Sequence, residues 1–498
     1  MSRRSFIKND LAASAMATTT NSAMGSIEGK SVKAATFGFL KEHDSIDSVH
    51  EISADFRRFD QVNLLFSNVS PFSPRANDPK DPHFEERQRI RQSFGMYVAK
   101  ADGVADILCA AKKANKPFEE FLQDLASHSI PFPPPMAKVF WDNEKLAQAI
   151  QRKGGKGWSQ LEYAFENAGW AVDHFGARLS EGGVSGHFKH FVDGEMREGL
   201  LTWKRPKWPI RYTFKDPREG TAVVKKTSLF LGADVVGIAP YDQRWVWEKR
   251  FNLYDGTHEE NTFPFEPKSV IVFGFEMDYA AYKTTPSAIG DAAAGTCYSR
   301  MAVTSHSVAE FIRKLGYDAI PCGNDTASSI PLAIQAGLGE GSRMGPIINP
   351  LYGPRIRLAK VFTELELVPD KPVTFGVKEF CMSCKKCADA CPSQAISFDD
   401  EPSFTVDSCV SNPGIKKWYL KADQCVAWWG VMGTDCGHCI TVCPYNKRDL
   451  WHHRVAKIGT RFSLTRNLAK VLDGAFGYGA YYGTPQNLKF IEDYWKTV

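Results

Sequence analysis

Across its 498 residues the chain has no run of 18 consecutive apolar residues, so nothing in it reads as an obvious transmembrane helix. The longest apolar run, Val270–Phe275, has the length of a strand. Charge of one sign is also scarce. The formal net charge is +4, and no basic run with interleaved aromatics occurs, which argues against a nucleic-acid-binding protein. No G-x-G-x-x-G follows a strand-like segment and no Walker A loop is present, so neither a dinucleotide fold nor a P-loop is indicated. The composition, 43% hydrophobic and 24% charged, is that of a globular protein of two to four domains. A chain this long buries a large core without needing disulfides.

Twelve cysteines are present, and eight of them fall in two tight groups. Cys381, Cys384, Cys387 and Cys391 follow C-x2-C-x2-C-x3-C-P. That is the bacterial ferredoxin run, whose first three thiolates hold one [4Fe–4S] cluster and whose fourth serves a second cluster. Soft thiolates suit iron and sulfide, and the two-residue gaps let one loop wrap one face of the cube. Cys436, Cys439 and Cys443 repeat C-x2-C-x3-C-P, with the opening cysteine displaced eleven residues upstream to Cys425. The ligand sets expected are Cys381, Cys384, Cys387 and Cys443 for one cluster, and Cys391, Cys425, Cys436 and Cys439 for the other. Zinc favours two separate CxxC pairs, and the triple spacing fits it poorly. Cys109, Cys297, Cys322 and Cys409 are expected to be small buried hydrophobes.

The N-terminus, MSRRSFIKNDLAASAMATTTNSAMGS, sets paired arginines before a mildly apolar Ala/Met/Thr stretch. It reads as a twin-arginine export signal over residues 1–35 rather than a disordered basic tail. Cleavage near Val32-Lys33-Ala34 is an open choice. Five basic and two acidic residues lie in that leader, so the remainder is close to neutral. The route carries proteins that fold around a cofactor before crossing, which accounts for reduced, metal-loaded cysteines in an exported chain where disulfides would otherwise be expected.

Residues 36–215 are aromatic-rich, broken by PFPPP at 131–135 and RPKW at 205–208, with helical patterning over Trp158–Trp170. From about 221 the chain reads as a helix ending near Gly232, a strand Val235–Ile238, a polar insertion at about 248–267, and a buried strand in PKSVIVFGFEM. A helix is predicted over Tyr298–Leu315 from the i, i+3, i+4, i+7 spacing of Val308, Phe311, Ile312 and Leu315, ended by Gly316. A strand in YDAIPCG, a helix in SIPLAIQAGLGEGSRMG running into a glycine-rich turn, and a strand in RIRLAKVFTELEL follow. The alternation implies an α/β or α+β core. Two clusters make an electron wire, and the large preceding region is where a terminal redox centre would sit.

The stretch from about 221 to 445 resembles the corrinoid-dependent reductive dehalogenases, most of all the tetrachloroethene type. The resemblance rests on LGADVVGIAPYDQRWVW, CYSRM, FIRKLGYDAIPCGND, IQAGLGEGSRMG, YGPRIRLAKVFTELELVPDKPVTFGVKEFC and both cysteine groups, with the leader and GAFGYG at 474–479 in keeping. It is weak over 36–160. It implies an α+β fold: a nitroreductase-like cobalamin-binding core with a C-terminal two-[4Fe–4S] ferredoxin-like domain. The division expected is 36–215 contributing to the substrate pocket, 216–375 binding the corrinoid, 376–450 holding the clusters, and 451–498 closing the chain. The family binds its cobamide base-off, and no D-x-H-x-x-G motif is present here; Asp81-Pro82-His83 lacks the glycine.

By the same resemblance Tyr298 matches the proton-donating tyrosine, Arg357 the arginine beside it, and Asn324 the active-site asparagine. Phe66, Trp170 and Trp429 match aromatics of the substrate pocket. Gly337, Gly339, Gly341, Ser342 and Gly345 either shape a turn or let the backbone approach the cobamide's nucleotide loop, the second being favoured. Replacing carbon-bound halogen by hydrogen takes two electrons and one proton. A phenol titrates near pH 10, and a guanidinium beside it favours the phenolate and makes the phenol a better acid. Without the resemblance, Tyr298, Trp170 and Trp429 would be read as core and Arg357 as a salt-bridge partner. The partners implied are a small organohalide, a small hydrophobic membrane-anchor subunit and a membrane electron donor, at the outer face of the cytoplasmic membrane, with a homodimer left open. Two other functions stand beside this one. Epoxyqueuosine reductase also joins cobalamin to two clusters, but acts on tRNA and uses an acidic residue where Tyr298 sits. A plain electron-transfer subunit would carry iron and no cobalt.

Overall fold

The computed structural model describes residues 40–70, 72–100, 156–157, 159–173, 189–192, 195–251, 256–406, 408–432, 434–447 and 485–496, with 465, 471 and 473 besides. The leader at 1–35, Cys109 and GAFGYG at 474–479 lie outside them. The described residues all belong to the unit Val32–Val498.

Four strands make the central sheet: β1 (Val235–Pro240), β2 (Ser269–Glu276), β3 (Ala319–Cys322) and β4 (Ile356–Thr363), in the order β1-β2-β4-β3. Every pairing is antiparallel, which settles the class as α+β. Both faces are covered. Ile271, Phe273, Phe275, Ala359 and Val361 point into one core, while Val270, Val272, Leu358 and Phe362 point into the other. That two-sided burial is why β2 reads as a near-continuous apolar run and not as an alternating one.

The helices follow from their ends. Helix α1 spans Phe84–Lys100 and α2 spans Gln160–Val172, with a capping box between Ser159 and Glu162. In α3 (Pro217–Phe230) Asp216 accepts from the backbone N–H groups of Arg218 and Glu219, and Pro217 occupies the first turn, where its missing N–H costs nothing. Helix α4 runs Ala288–Lys314, capped by Ser287, whose hydroxyl accepts from Gly290 N–H at 3.2 Å. It starts ten residues before the predicted position. The cause is burial: residues 288–295 are all buried, so the stretch has no apolar stripe for periodicity to find.

Helix α5 (Ser329–Gln335) packs on the opposite face of the sheet from α4. Helix α6 (Val377–Cys384) opens the cysteine region, α7 (Ala422–Met432) carries Cys425, and α8 (Pro485–Tyr494) lies on the α4 side through Ile491. The polar insertion is a small hairpin, Lys249–Phe251 against His258–Glu260. Early segments are woven into late ones. Lys41–Glu42 pairs with Val373–Thr374, α1 packs along α7, and α2 packs along α4.

Candidate active site

Tyr298 and Arg357 come from different layers. Tyr298 lies on α4 and Arg357 on β4, opposite Phe275 of β2 in the register. Asn324 sits in the turn after β3. That turn is held hard: buried Asp325 accepts from Gly323 N–H at 2.7 Å and from Thr326 Oγ1 at 3.0 Å. Buried Lys360, the first residue of the β4 stretch facing β3 and paired with Cys322, donates to Gly323 O at 2.6 Å. Thr326 takes φ of +73°, a rare conformation for a β-branched residue, and these bonds keep it there.

The three groups meet at the Tyr298 side chain. Asn324 Nδ2 donates to Tyr298 Oη at 2.9 Å. The Arg357 guanidinium carbon lies 5.3 Å from the Tyr298 ring centre. Trp170, from α2, stacks on the same ring with centres 5.0 Å apart and planes 21° apart. Burial works against the Arg357 cation, but Tyr298, Tyr282 and Asp435 around it outweigh that and hold its pKa above the ordinary guanidinium range. Arg357 reaches Asp435 at 3.5 Å. Asp435 is pushed up to about 7 by its burial and by Asp291, with Arg357 pulling the other way. Tyr282, fully buried, is pushed well above 10 by the same lack of water and by Asp435.

Tyr298, Asn324 and Arg357 line a cavity of about 920 Å³. Gly341, Ser342 and Gly345 line it too, from the glycine-rich turn. Gly337 and Gly339 do not. A side chain at Gly339 would fall 2.3 Å from Ile348 O, and one at Gly337 would fall 2.6 Å from Lys371 O, so both positions serve close backbone packing. Gly345 is the opposite case, with φ of +100° and open space where a side chain would point. The Ser342 hydroxyl is already given to Pro346 O at 2.5 Å. Phe66 stands on a short 3-10 turn, 39% exposed, and Trp429 is half-buried on α7; neither they nor Trp170, which stands behind the Tyr298 ring, are among the cavity's lining residues.

The turn carries two charged clamps that sequence reasoning passed over. Glu340 accepts from the N–H groups of Phe375, Val377 and Lys378 and so holds the start of α6. Arg343, fully buried, donates to Cys381 O at 2.8 Å, Ser397 O at 2.7 Å and Asp399 O at 2.6 Å. One turn thus ties the cavity wall to the backbone of the first cysteine group. Asp291, Thr434 and Asp435 were missed as well. Their only trace is the small-residue run DAAAG and the TDCG that opens the second cysteine group.

The cysteines of the two groups lie close enough to raise one another's thiols. Burial pushes the Cys443 thiol up, and Cys381, Cys387 and Cys384 push it further. Cys439 rises to about 12 through burial and through Cys425 and Cys391, and Cys436 is raised by burial and then by Cys439 and Cys425. Across the sets, Cys439 adds to the effect of burial in raising Cys387 to about 12. Among the described residues no group of three His, Cys, Asp or Glu side chains is placed to hold a single metal ion. Cys297 and Cys322 are buried, each with its thiol toward a backbone carbonyl.

A family profile described as a 4Fe-4S double cluster binding domain matches residues 380–446. The tetrachloroethene reductive dehalogenase of Desulfitobacterium hafniense is 33% identical over 561 aligned residues, covering 99% of this chain and 98% of the relative. The chain belongs to the corrinoid-dependent reductive dehalogenase family. The tetrachloroethene reductive dehalogenase of Sulfurospirillum multivorans is 34% identical over 64% of this chain and 68% of its own. A solved reductive dehalogenase, described for B12-dependent dehalogenation, is 25% identical with a TM-score of 0.49, over 58% of this chain and 40% of that one.

As a reductive dehalogenase the chain is an oxidoreductase that uses a corrinoid and two [4Fe–4S] clusters. The residues present fit both groups. His50 Nε2, Trp245 Nε1 and Arg357 Nε are buried without a hydrogen-bond partner in the protein, and all three residues line the cavity. Such orphaned groups are costly unless something fills the space beside them. Gly345 leaves room for a large rigid neighbour. Burial raises the thiols of Cys381, Cys387, Cys425, Cys436, Cys439 and Cys443, and iron is what makes thiolates stable in such a place.

Proposed function

We propose that the protein replaces halogen by hydrogen on a small haloalkene, with a chlorinated ethene as the leading substrate and Tyr298 as the proton donor. The observation that carries this is the setting of the Tyr298 hydroxyl, which accepts from Asn324 at 2.9 Å beside the Arg357 cation and under the Trp170 indole. When bound, the corrinoid supplies the low-potential electrons that break the carbon–halogen bond, and the clusters carry those electrons to it one at a time. The protein's own part is the proton. Tyr298 gives Oη–H to the carbon that loses halide, so two electrons and one proton convert C–X to C–H and X⁻. The phenolate left behind is held by the Asn324 amide and the Arg357 charge, both fixed before the reaction starts. Arg357 stays protonated throughout. Stacked aromatic surface beside an apolar wall suits a substrate that makes almost no hydrogen bonds.

The ligand sets stay Cys381, Cys384, Cys387 and Cys443, and Cys391, Cys425, Cys436 and Cys439. Their mutual electrostatic neighbours support that division. Gly341 and Gly345 are the turn positions we place against the corrinoid, and the core is proposed to be nitroreductase-like. Residues 1–35 would direct twin-arginine export to the outer face of the cytoplasmic membrane. There a small hydrophobic anchor subunit would hold the protein beside its electron donor, and a second copy of the chain is the partner a homodimer would add. Among the described residues no helix is long and apolar enough to cross a membrane.

The test is anaerobic purification with cobalt and iron analysis, then chlorinated and brominated ethenes with reduced viologen as donor. About one cobalt and about eight irons per chain are expected, with halide released. Tyr298→Phe keeps both metals and loses turnover; full activity in that variant removes Tyr298 as the acid.

A further inference from the structure

Stacking alone does not fix an indole. Two parallel rings slide and turn over one another with little change in contact, so the direction in which Trp170 projects beyond Tyr298 needs another restraint. The structure has one. Trp170 Nε1–H donates to Asp291 Oδ1 at 3.2 Å. Asp291 is buried in the first turn of α4, with 1% of its surface open. Its second oxygen, Oδ2, accepts from Thr434 Oγ1 at 3.1 Å, and it is also hydrogen-bonded to the Glu166 carboxyl of α2. Two bonded carboxyls share one proton. Asp291 therefore remains an acceptor toward Trp170 whichever of the two carries it.

The placement is specific to the site and not general packing. Thr434 precedes Asp435, which pairs with Arg357. The carboxyl of Asp291 thus touches the support of both walls around Tyr298, the stacked indole on one side and the arginine's loop on the other.

We propose that Asp291 is a positioning residue that sets the plane and reach of the Trp170 indole and so decides which haloalkenes fit against Tyr298. This rests on Tyr298 being the reacting acid. Asp291 does not itself touch substrate. Its effect is on selectivity between substrates of different size, which a residue needed only for folding would not move.

The experiment uses the cofactor-loaded enzyme. Asp291→Ala, Asp291→Asn, Trp170→Phe and the double variant Asp291→Ala/Trp170→Phe are assayed on tetrachloroethene and on a dichloroethene, with cobalt and iron measured in each. Asp291→Ala and Trp170→Phe are each expected to change the ratio of kcat/KM between the two substrates about tenfold. The double variant is expected to change it no more than either alone, because phenylalanine has no N–H to anchor. Asp291→Asn, which still accepts from the indole, keeps the parent ratio. Additive effects in the double variant, or an unchanged ratio in Asp291→Ala with its metals retained, overturn the proposal. Should Asp291→Ala lose its cofactors, 3-benzothienylalanine at position 170 decides: it removes the N–H and leaves Asp291 in place. A shifted ratio supports the proposal and the parent ratio overturns it. A parent enzyme inert toward every organohalide would instead refute the haloalkene reading on which this one stands.

Discussion

Gly295→Ala pits two forces against each other at one carbon. Gly295 lies in the interior of α4, where replacing glycine by alanine ordinarily gains about 1 kcal/mol of helix stability. Here the added methyl would fall 2.5 Å from Cγ and Cδ1 of Trp170 and 2.6 Å from its Nε1. Non-bonded carbons rest about 3.5–4.0 Å apart, so the indole must withdraw by roughly 1 Å. Withdrawal weakens the stack on Tyr298, worth about 0.5–1.5 kcal/mol, and the hydrogen bond to a buried carboxyl, worth about 1.5–3 kcal/mol. The losses exceed the helix gain, leaving a net cost of about 1–3 kcal/mol. A misplacement of that size near a reacting group costs up to about 100-fold in rate. Halide release measured anaerobically, with cobalt and iron determined on the same sample, reads the outcome. The expected result is full metal content, a lower melting temperature and a rate down at least about tenfold. A variant that melts higher than the parent and works as fast would show that helix propensity wins and that the indole is not held as described.

The other predictions touch the clusters and the acid side of stability. Cys384→Ser should lose about half the iron and the matching part of the reduced paramagnetic signal; unchanged iron would contradict the ligand sets. His50 is held neutral by burial, with its pKa down from 6.5 to about 4. The unfolded chain takes up a proton below 6.5 that the fold refuses until about pH 4. Its contribution is therefore whole above pH 6.5 and drains away between 6.5 and 4, by at most about 3 kcal/mol. His50→Gln should flatten the acid loss of stability in that window, and an unaltered slope in denaturant titrations across it would refute the assignment.

The clusters were legible in the sequence because their ligation is local. Spacing of two and three residues is itself the geometry, and the two long-range steps of the expected ligand sets, Cys443 joining Cys381 and Cys391 joining Cys425, follow the pattern of the ferredoxin run. The sheet was legible for a similar reason, since strands buried on both faces are written as apolar runs. Tyr298, Asn324 and Arg357 were not. They arrive from a helix, a turn and a strand, and only resemblance named them together. The start of α4 stayed hidden because a helix buried all round has no stripe. The glycine-rich turn misled in part: Gly337 and Gly339 answer to backbone oxygens, while Glu340 and Arg343, which look like surface charge, clamp the cluster segment.

That buried start of α4 explains how the site is kept in register. Asp291, Gly295 and Tyr298 stand at i, i+4 and i+7, so they share one face of the helix. Trp170 meets all three: its N–H bonds the first, its ring covers the second, and it stacks on the third. A stripe with this spacing would ordinarily be core. Here each member has a different duty toward one aromatic ring. The same helix face reaches Thr434 through Asp291, and Thr434 stands two residues before the cluster cysteine Cys436. Tyr298, the proposed proton donor, and the segment leading into the second cysteine group are therefore both referred to one helix of 27 residues. The Thr434–Asp291–Trp170 hydrogen bonds give a shift of the 434–436 segment a direct path to the indole, because a packed core passes displacement on and does not absorb it locally.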